Sequence, residues 1–190
     1  MSSLEKTTQL AIELLKKQKI TDYEVSLGKS SGVSTKVRLS EVETLQYHLD
    51  TSFNVNVYIG KKKGHASSAD LGKESLIKAI ESSCLIAKYT QEDPFNGLAP
   101  KERLAWQVPE LDLYHFWDLD AKKSIDIAKE CEEVALQQPE IDNSDGAEIS
   151  SFEGESIYAN SNGLVARAKN TKHSLYCSLI AKREREMQTA

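Results

Sequence analysis

The sequence predicts an α+β domain, a long and mostly antiparallel β-sheet covered by about three helices, and three observations predict it. Apolar residues alternate with period two in two groups, residues 23–69 and 147–183, while three other segments near 3–18, 73–89 and 121–138 repeat apolar residues at helical spacing. Strands gathered in runs with short links, separated by helices, disfavour a doubly wound parallel sheet. The whole chain, residues 1–190, reads as one such domain, and its 39% hydrophobic content suffices for a buried core.

The elements follow in order. Ser2 and Glu5 have capping-box spacing, and Leu4, Ala11, Leu14 and Leu15 share a helical face, predicting a helix over 3–18. From Tyr23 the period becomes two. Tyr23, Val25 and Leu27 alternate with polar partners, as do Val33, Val37 and Leu39 after one interruption; further stretches run from Val42 to Leu49, from Ser52 to Gly60 and from His65 to Ala69. Lys61–Gly64 is expected to turn between the last two. Gly72 precedes a helix over 73–89 with Leu76, Ile77, Ile80, Cys84 and Ala87 on one face. Three of the four prolines fall between Gln91 and Leu119, which predicts a wrapping connection of short turns. Asp120 caps a helix over 121–138 with Ala121, Ile125, Ala128, Cys131 and Ala135 inward. Asp142–Gly146 reads as a loop, and strands are expected at 147–156, 157–160, 164–168 and 173–181, with Asn162-Gly163 as a hairpin turn. The charged tail KREREMQTA shows no pattern that closes a domain, so the chain reads as a fragment.

Composition removes several functions. A net charge of −5 opposes sequence-independent binding to nucleic acid, and Lys61, Lys62 and Lys63 form the one local basic run, expected to be a solvated turn. No apolar run approaches the ~18 residues of a membrane span, and the N-terminus does not read as a signal peptide, so a cytoplasmic protein with no membrane partner is expected. Cys84, Cys131 and Cys177 lie more than forty residues apart and read as small buried residues in a reducing compartment.

The chemistry-bearing residues are sparse. His173 and Cys177 are the His/Cys pair whose spacing invites a metal, but four strand residues cover roughly 13 Å, too far to grip one ion. His65 and Ser67 share a strand face with roots roughly 6 to 7 Å apart, beyond the reach of a nucleophile–base pair. No catalytic residue, metal ligand or cofactor site is therefore expected in this chain. Tyr114, His115, Phe116 and Trp117 form an aromatic cluster suited to anchoring the connection or to meeting a peptide. Arg38 and Glu43 suit an ion pair between adjacent strands.

Seven strings along residues 7–185 carry a resemblance: RLSEVETL (38–45), NVNVY (54–58), KGHASSADL (63–71), IAKYTQEDPFNGLA (86–99), PELDLYH (109–115), YANSNG (158–163) and TKHSLYCSLIA (171–181). In their order and spacing the chain resembles the N-terminal domain of the PmbA/TldE subunits of the TldD/TldE bacterial metalloprotease family, once called modulators of DNA gyrase. Members are about twice this length or more, so the resemblance implies that a C-terminal domain is absent here. It also implies a metal-binding HExxxH helix on the TldD subunit, a motif this sequence lacks. The implied role is that of a non-catalytic part that joins a TldD-like metal-bearing subunit and encloses extended, unfolded peptides, with peptide-antibiotic maturation and antitoxin degradation among the family's activities. Candidate contacts to substrate or partner are Arg38, Glu43, Ser67, Ser68 and Asn160, all within the matching strings. The alternatives from other classes are a free-standing interaction scaffold, distinguished by the absence of a downstream domain in the gene, and a regulator of DNA gyrase, distinguished by what the protein captures.

Overall fold

The structure is a computed structural model that describes residues 2–183 and 186–189. In chain order the elements are α1 (Ser3–Leu15), β1 (Asp22–Arg38), β2 (Glu41–Ile59), β3 (Lys62–Ser68), α2 (Lys73–Tyr89), a short 3-10 turn (Lys101–Arg103), α3 (Ala121–Leu136), β4 (Ile141–Asn160), β5 (Val165–Arg183) and β6 (Glu186–Thr189). The six strands form one antiparallel sheet in the order β3-β2-β1-β4-β5-β6, which confirms the α+β class.

Stretches expected as separate strands are halves of longer ones. In β1 the odd-numbered residues stay on one face throughout; Tyr23, Val25 and Leu27 are buried, as are Val33, Thr35 and Val37, with a lapse at Lys29–Gly32. That lapse separates two cores. The chain divides into two compact units, the first comprising residues up to Lys29, Asp50–Asp112 and Gly154–Lys169, the second Ser30–Leu49, Leu113–Glu153 and Asn170 onward.

In the first unit, α1 and α2 bury Leu4, Ala11, Leu15, Leu76 and Ile80 with Val25, Leu27, Phe53, Val55 and Val57 of the strands. The predicted capping box is present, Glu5 N–H donating to Ser2 and Ser2 N–H to Glu5. Helix α2 has the predicted bounds but presents Ala79 and Ser83, with Ile77 only half-buried. Small residues are needed there because a Cβ on Gly64 of β3 would stand 1.9 Å from the Ser83 carbonyl oxygen. Gly60–Lys61 makes the β2–β3 turn, one step earlier than expected, with Gly60 at φ 60° and Lys62 already paired to Ile59.

In the second unit, Val33, Val37, Leu119, Ala128, Ala147 and Ile149 form the core. Asp120 caps α3 as expected, accepting from Lys123 N–H at 2.8 Å. The helix is rotated from the predicted face: Ser124, Ala128 and Glu132 are buried. Polar residues can occupy this face because each finds a partner, Ser124 on Thr35 at 2.7 Å and Glu132 on the β1–β2 turn. The expected loop Asp142–Gly146 is instead the start of β4. Burial changes phase between Ser144 and Ala147, and Gly146 at φ 109° absorbs the extra residue as a bulge would.

Tail residues Glu186–Thr189 form β6 against Ile180–Arg183, where main-chain hydrogen bonds suffice and no apolar pattern is required. Residues 184, 185 and 190 lie outside the described residues, and with them the end of the chain.

Candidate binding pocket in the second unit

The aromatic cluster is the feature around which a site assembles. Leu113–Leu119 is held to β5 and β4 by directed bonds: Thr171 N–H donates to the Leu113 carbonyl at 2.9 Å, His115 N–H to Thr171 Oγ1 at 3.0 Å, and the Tyr114 hydroxyl to Glu153 at 2.9 Å. His173 Nε2 meets the His115 carbonyl at 3.0 Å, which makes Nε2 the donor and leaves Nδ1 of a neutral ring to accept from Ser151 at 2.9 Å. Trp117 stands edge-on to the same ring at 5.4 Å. Of the two expected roles, anchoring falls to Tyr114 and His115, while Phe116 is 65% exposed.

Beneath this segment lies a cavity of about 270 Å³. Its walls include Phe116 and Trp117 from the segment, Tyr47 and His48 from β2, Phe152 and Glu153 from β4, and His173 from β5. Gly32 of β1 makes room, because a Cβ there would meet Phe152 Cδ1 at 2.5 Å. Phe152 also stacks obliquely on His48 at 5.2 Å, and His48 is held by Ser34 at 3.0 Å. The charged residues on the walls are Asp118 and Glu153, with no Lys or Arg among them. Glu153 accepts from two hydroxyls, Ser31 at 3.2 Å and Tyr114, whose phenol it holds above its ordinary pKa. Such a pocket suits selective binding of one side chain; one hydroxyl in its lining does meet a base, Ser151 on His173 Nδ1, but that serine is buried, 8% exposed.

Beside it the edge of β2 is open. β3 pairs with β2 only from Phe53 to Ile59, and β2 has no other neighbour on that side, so among the described residues Glu41–Ser52 lacks a partner strand there. Val42, Leu45, Tyr47 and Leu49 of this stretch are all exposed.

The predicted contact residues are divided between the two units, Arg38 and Glu43 in the second and Ser67, Ser68 and Asn160 in the first. Arg38 and Glu43 lie on β1 and β2, with Arg38 donating to the Ser144 carbonyl at 3.1 Å; Glu43 pairs more closely with Lys36, at 3.0 Å, than with Arg38, at 3.9 Å. In the first unit, Ser67 is exposed opposite Asn54, and Ser68 bonds both the N–H and the carbonyl of Asp70 to shape the approach to α2. Asn160 is buried, its side-chain oxygen accepting from Asn162 and Leu164 N–H within the predicted hairpin. His65 donates through Nδ1 to Asn56, directly opposite it, at 2.9 Å. Sequence reasoning missed Glu24, whose carboxylate accepts from Asn56, Tyr58 and Tyr158 at 3.1, 2.8 and 2.8 Å. Burial and this carboxylate push the Tyr58 phenol well above its usual range. Cys131 and Cys177, distant in sequence, meet on α3 and β5, and all three cysteines are half-buried instead of buried.

Comparison with known proteins matches most of the chain to one family. Residues 23–87 match the model of PmbA/TldA metallopeptidase domain 1, and residues 114–190 that of the PmbA/TldA metallopeptidase central domain. The chain belongs to the PmbA/TldD metallopeptidase family. The metalloprotease PmbA homolog of Haemophilus influenzae is 38% identical over 93% of this chain and 39% of its own length, and metalloprotease PmbA of Escherichia coli O157:H7 is 34% identical over 97% and 41%. The chain therefore spans about two-fifths of the curated relatives it matches. A crystal structure from Bacteroides thetaiotaomicron, named for modulation of DNA gyrase, superposes over 100% of this chain and 44% of its own with a TM-score of 0.89 at 24% identity, which establishes the shared fold.

The described residues do not supply a ligand set for the metal that a metallopeptidase family implies. Among the described residues no three His, Cys, Asp or Glu side chains are placed to hold an ion, and His48, His65 and His173 each direct ring nitrogens to protein partners. Among the described residues no helix is long and apolar enough to cross a membrane.

Proposed function

We propose that this chain is the substrate-enclosing, partner-binding part of a TldD/TldE-type protease in the cytoplasm, acting on unfolded peptides and contributing no metal, cofactor or peptide-bond chemistry of its own. The observation that carries the reading is the open edge of β2 over Glu41–Ser52, with its exposed Val42, Leu45, Tyr47 and Leu49. An exposed, apolar strand edge is a hazard in a monomer and an asset where another backbone is to be added. Main-chain pairing tolerates many sequences but rejects folded chains, whose backbones are already bonded. Family membership supports an assembly in which such an edge is useful, with a TldD-like subunit bearing the metal.

The full-length protein should co-purify with that subunit, and the pair should cleave an unfolded peptide faster than either alone. The reading fails if the two do not associate and the mixture is no more active than its parts. The gyrase reading rests on a name alone; capture of gyrase subunits in place of a TldD-like subunit would favour it.

A further inference from the structure

The pocket beneath Phe116 has a chemistry more specific than an apolar groove. Its lining combines the aromatic residues Tyr47, Phe116, Trp117 and Phe152 with the acidic residues Asp118 and Glu153, and carries no Lys or Arg. Aromatic faces and carboxylates both favour a cation, and they do so most where water is partly excluded. Asp118 already has an exposed ion pair with Lys123 at 3.7 Å, whereas the bonds shown for Glu153 come from hydroxyls alone, so its charge is hydrogen-bonded without being neutralised. A volume of about 270 Å³ admits one side chain and excludes a folded segment.

We infer that this pocket binds the cationic side chain, arginine or lysine, of an extended peptide. Tyr47 and His48 belong to the unpaired stretch of β2, so the pocket opens beside the edge assigned above to peptide addition. The inference rests on that reading for its peptide and adds to it a residue preference. Arginine is favoured over lysine because its planar group stacks on rings while its N–H fork meets a carboxylate.

The test uses this 190-residue chain carrying Trp106→Phe, which leaves Trp117 as its single tryptophan reporter, titrated with acetyl-Gly-Ser-Gly-Arg-Gly-Ser-amide and with the same peptide carrying citrulline, a neutral isostere. The arginine peptide should bind about tenfold more tightly and shift Trp117 emission. Added Glu153→Gln should reduce that preference to about threefold or less, and Phe116→Ala, at an exposed position, should weaken binding without altering the melting curve. Equal affinity for the two peptides, tighter binding of a phenylalanine counterpart, or an unchanged preference in Glu153→Gln would each overturn the assignment. The citrulline comparison needs no variant in the pocket, so a poorly folded Glu153→Gln protein does not blunt it. No TldD-like subunit is involved: peptide failure with intact co-purification removes the pocket alone, whereas arginine binding without co-purification removes the protease reading alone.

Discussion

Glu132 accepts the backbone N–H of Leu39 at 2.9 Å through Oε1, so a carboxylate buried by α3 closes the hairpin turn between β1 and β2. Its second oxygen takes Ser40 N–H at 2.9 Å. Both turn residues have positive φ, 48° and 64°, a region that costs a leucine roughly 1–2 kcal/mol. Burial alone would raise the Glu132 carboxyl, but bonds from Ser40, Ser144 and Leu39 outweigh it and hold the group below its ordinary 4.5.

A depressed folded-state pKa contributes stability above pH 4.5 that is lost as pH falls through the folded value. Glu132→Gln should therefore cost about 2–3 kcal/mol at neutral pH, because the amide presents one oxygen and one N–H₂ to two donors. It should also flatten the acid limb of a stability-against-pH curve. Urea unfolding between pH 3 and 7 checks both; an unchanged acid limb would show that the turn does not depend on the carboxylate.

Helix α2 rests on the backbone of β3 at Gly64, where a Cβ would also meet Ala87 N at 2.6 Å. Backbone atoms cannot rotate aside as a side chain can. Gly64→Ala should cost about 3 kcal/mol or more, above ordinary overpacking. Gly60→Ala, where nothing lies within 4 Å but φ is 60°, should cost only about 1–2 kcal/mol. Thermal melts of the two variants that reversed this order would refute the close approach of α2.

Tyr58 is 3% exposed and donates to Glu24 at 2.8 Å; burial first and that carboxylate second raise its pKa from 10.0. A raised phenol stabilises the fold fully below pH 10 and less as pH climbs above it, because the unfolded chain then ionises first. Tyr58→Phe should lower stability by about 1–2 kcal/mol at neutral pH and make the alkaline loss shallower. Absorbance at alkaline pH should lose a late-titrating phenol, and losing an ordinary one instead would place Tyr58 wrongly.

Local chemistry made some features legible and distant chemistry hid others. Helix α2 and the Asn162-Gly163 turn carry their own signals, the first in its apolar spacing after Gly72, the second in a dipeptide that tolerates positive φ. Leu39-Ser40 carries no turn dipeptide, since its turn is stabilised from α3, and only the break between the stretches ending at Leu39 and starting at Val42 marks the β1–β2 link in the sequence. The α3 face was misread for the same reason: Ser124 and Glu132 look like solvent residues until Thr35 and the turn supply partners. At the site, the ring cluster at 114–117 was visible, while Glu153 was hidden among the polar residues of a strand. Its meaning depends on Ser31 and Tyr114 converging from elsewhere.

The open edge of β2 makes a prediction that separates binding from stability. Val42 is 42% exposed and Leu49 70% exposed, so neither needs burial within this chain to hold the fold. Surface substitutions of this kind usually change stability by no more than about 0.5 kcal/mol. Lysine on a strand edge is nevertheless a common barrier to another strand, because adding a backbone there would desolvate the charge. Val42→Lys with Leu49→Lys in the full-length protein should therefore leave the melting curve unchanged and sharply reduce co-purification with the TldD-like subunit or cleavage of unfolded peptide by the pair. Lysine at Leu85, 58% exposed on α2, serves as the control and should alter neither. If the edge variant associated and cleaved normally, the edge would have to be removed from the proposed mechanism.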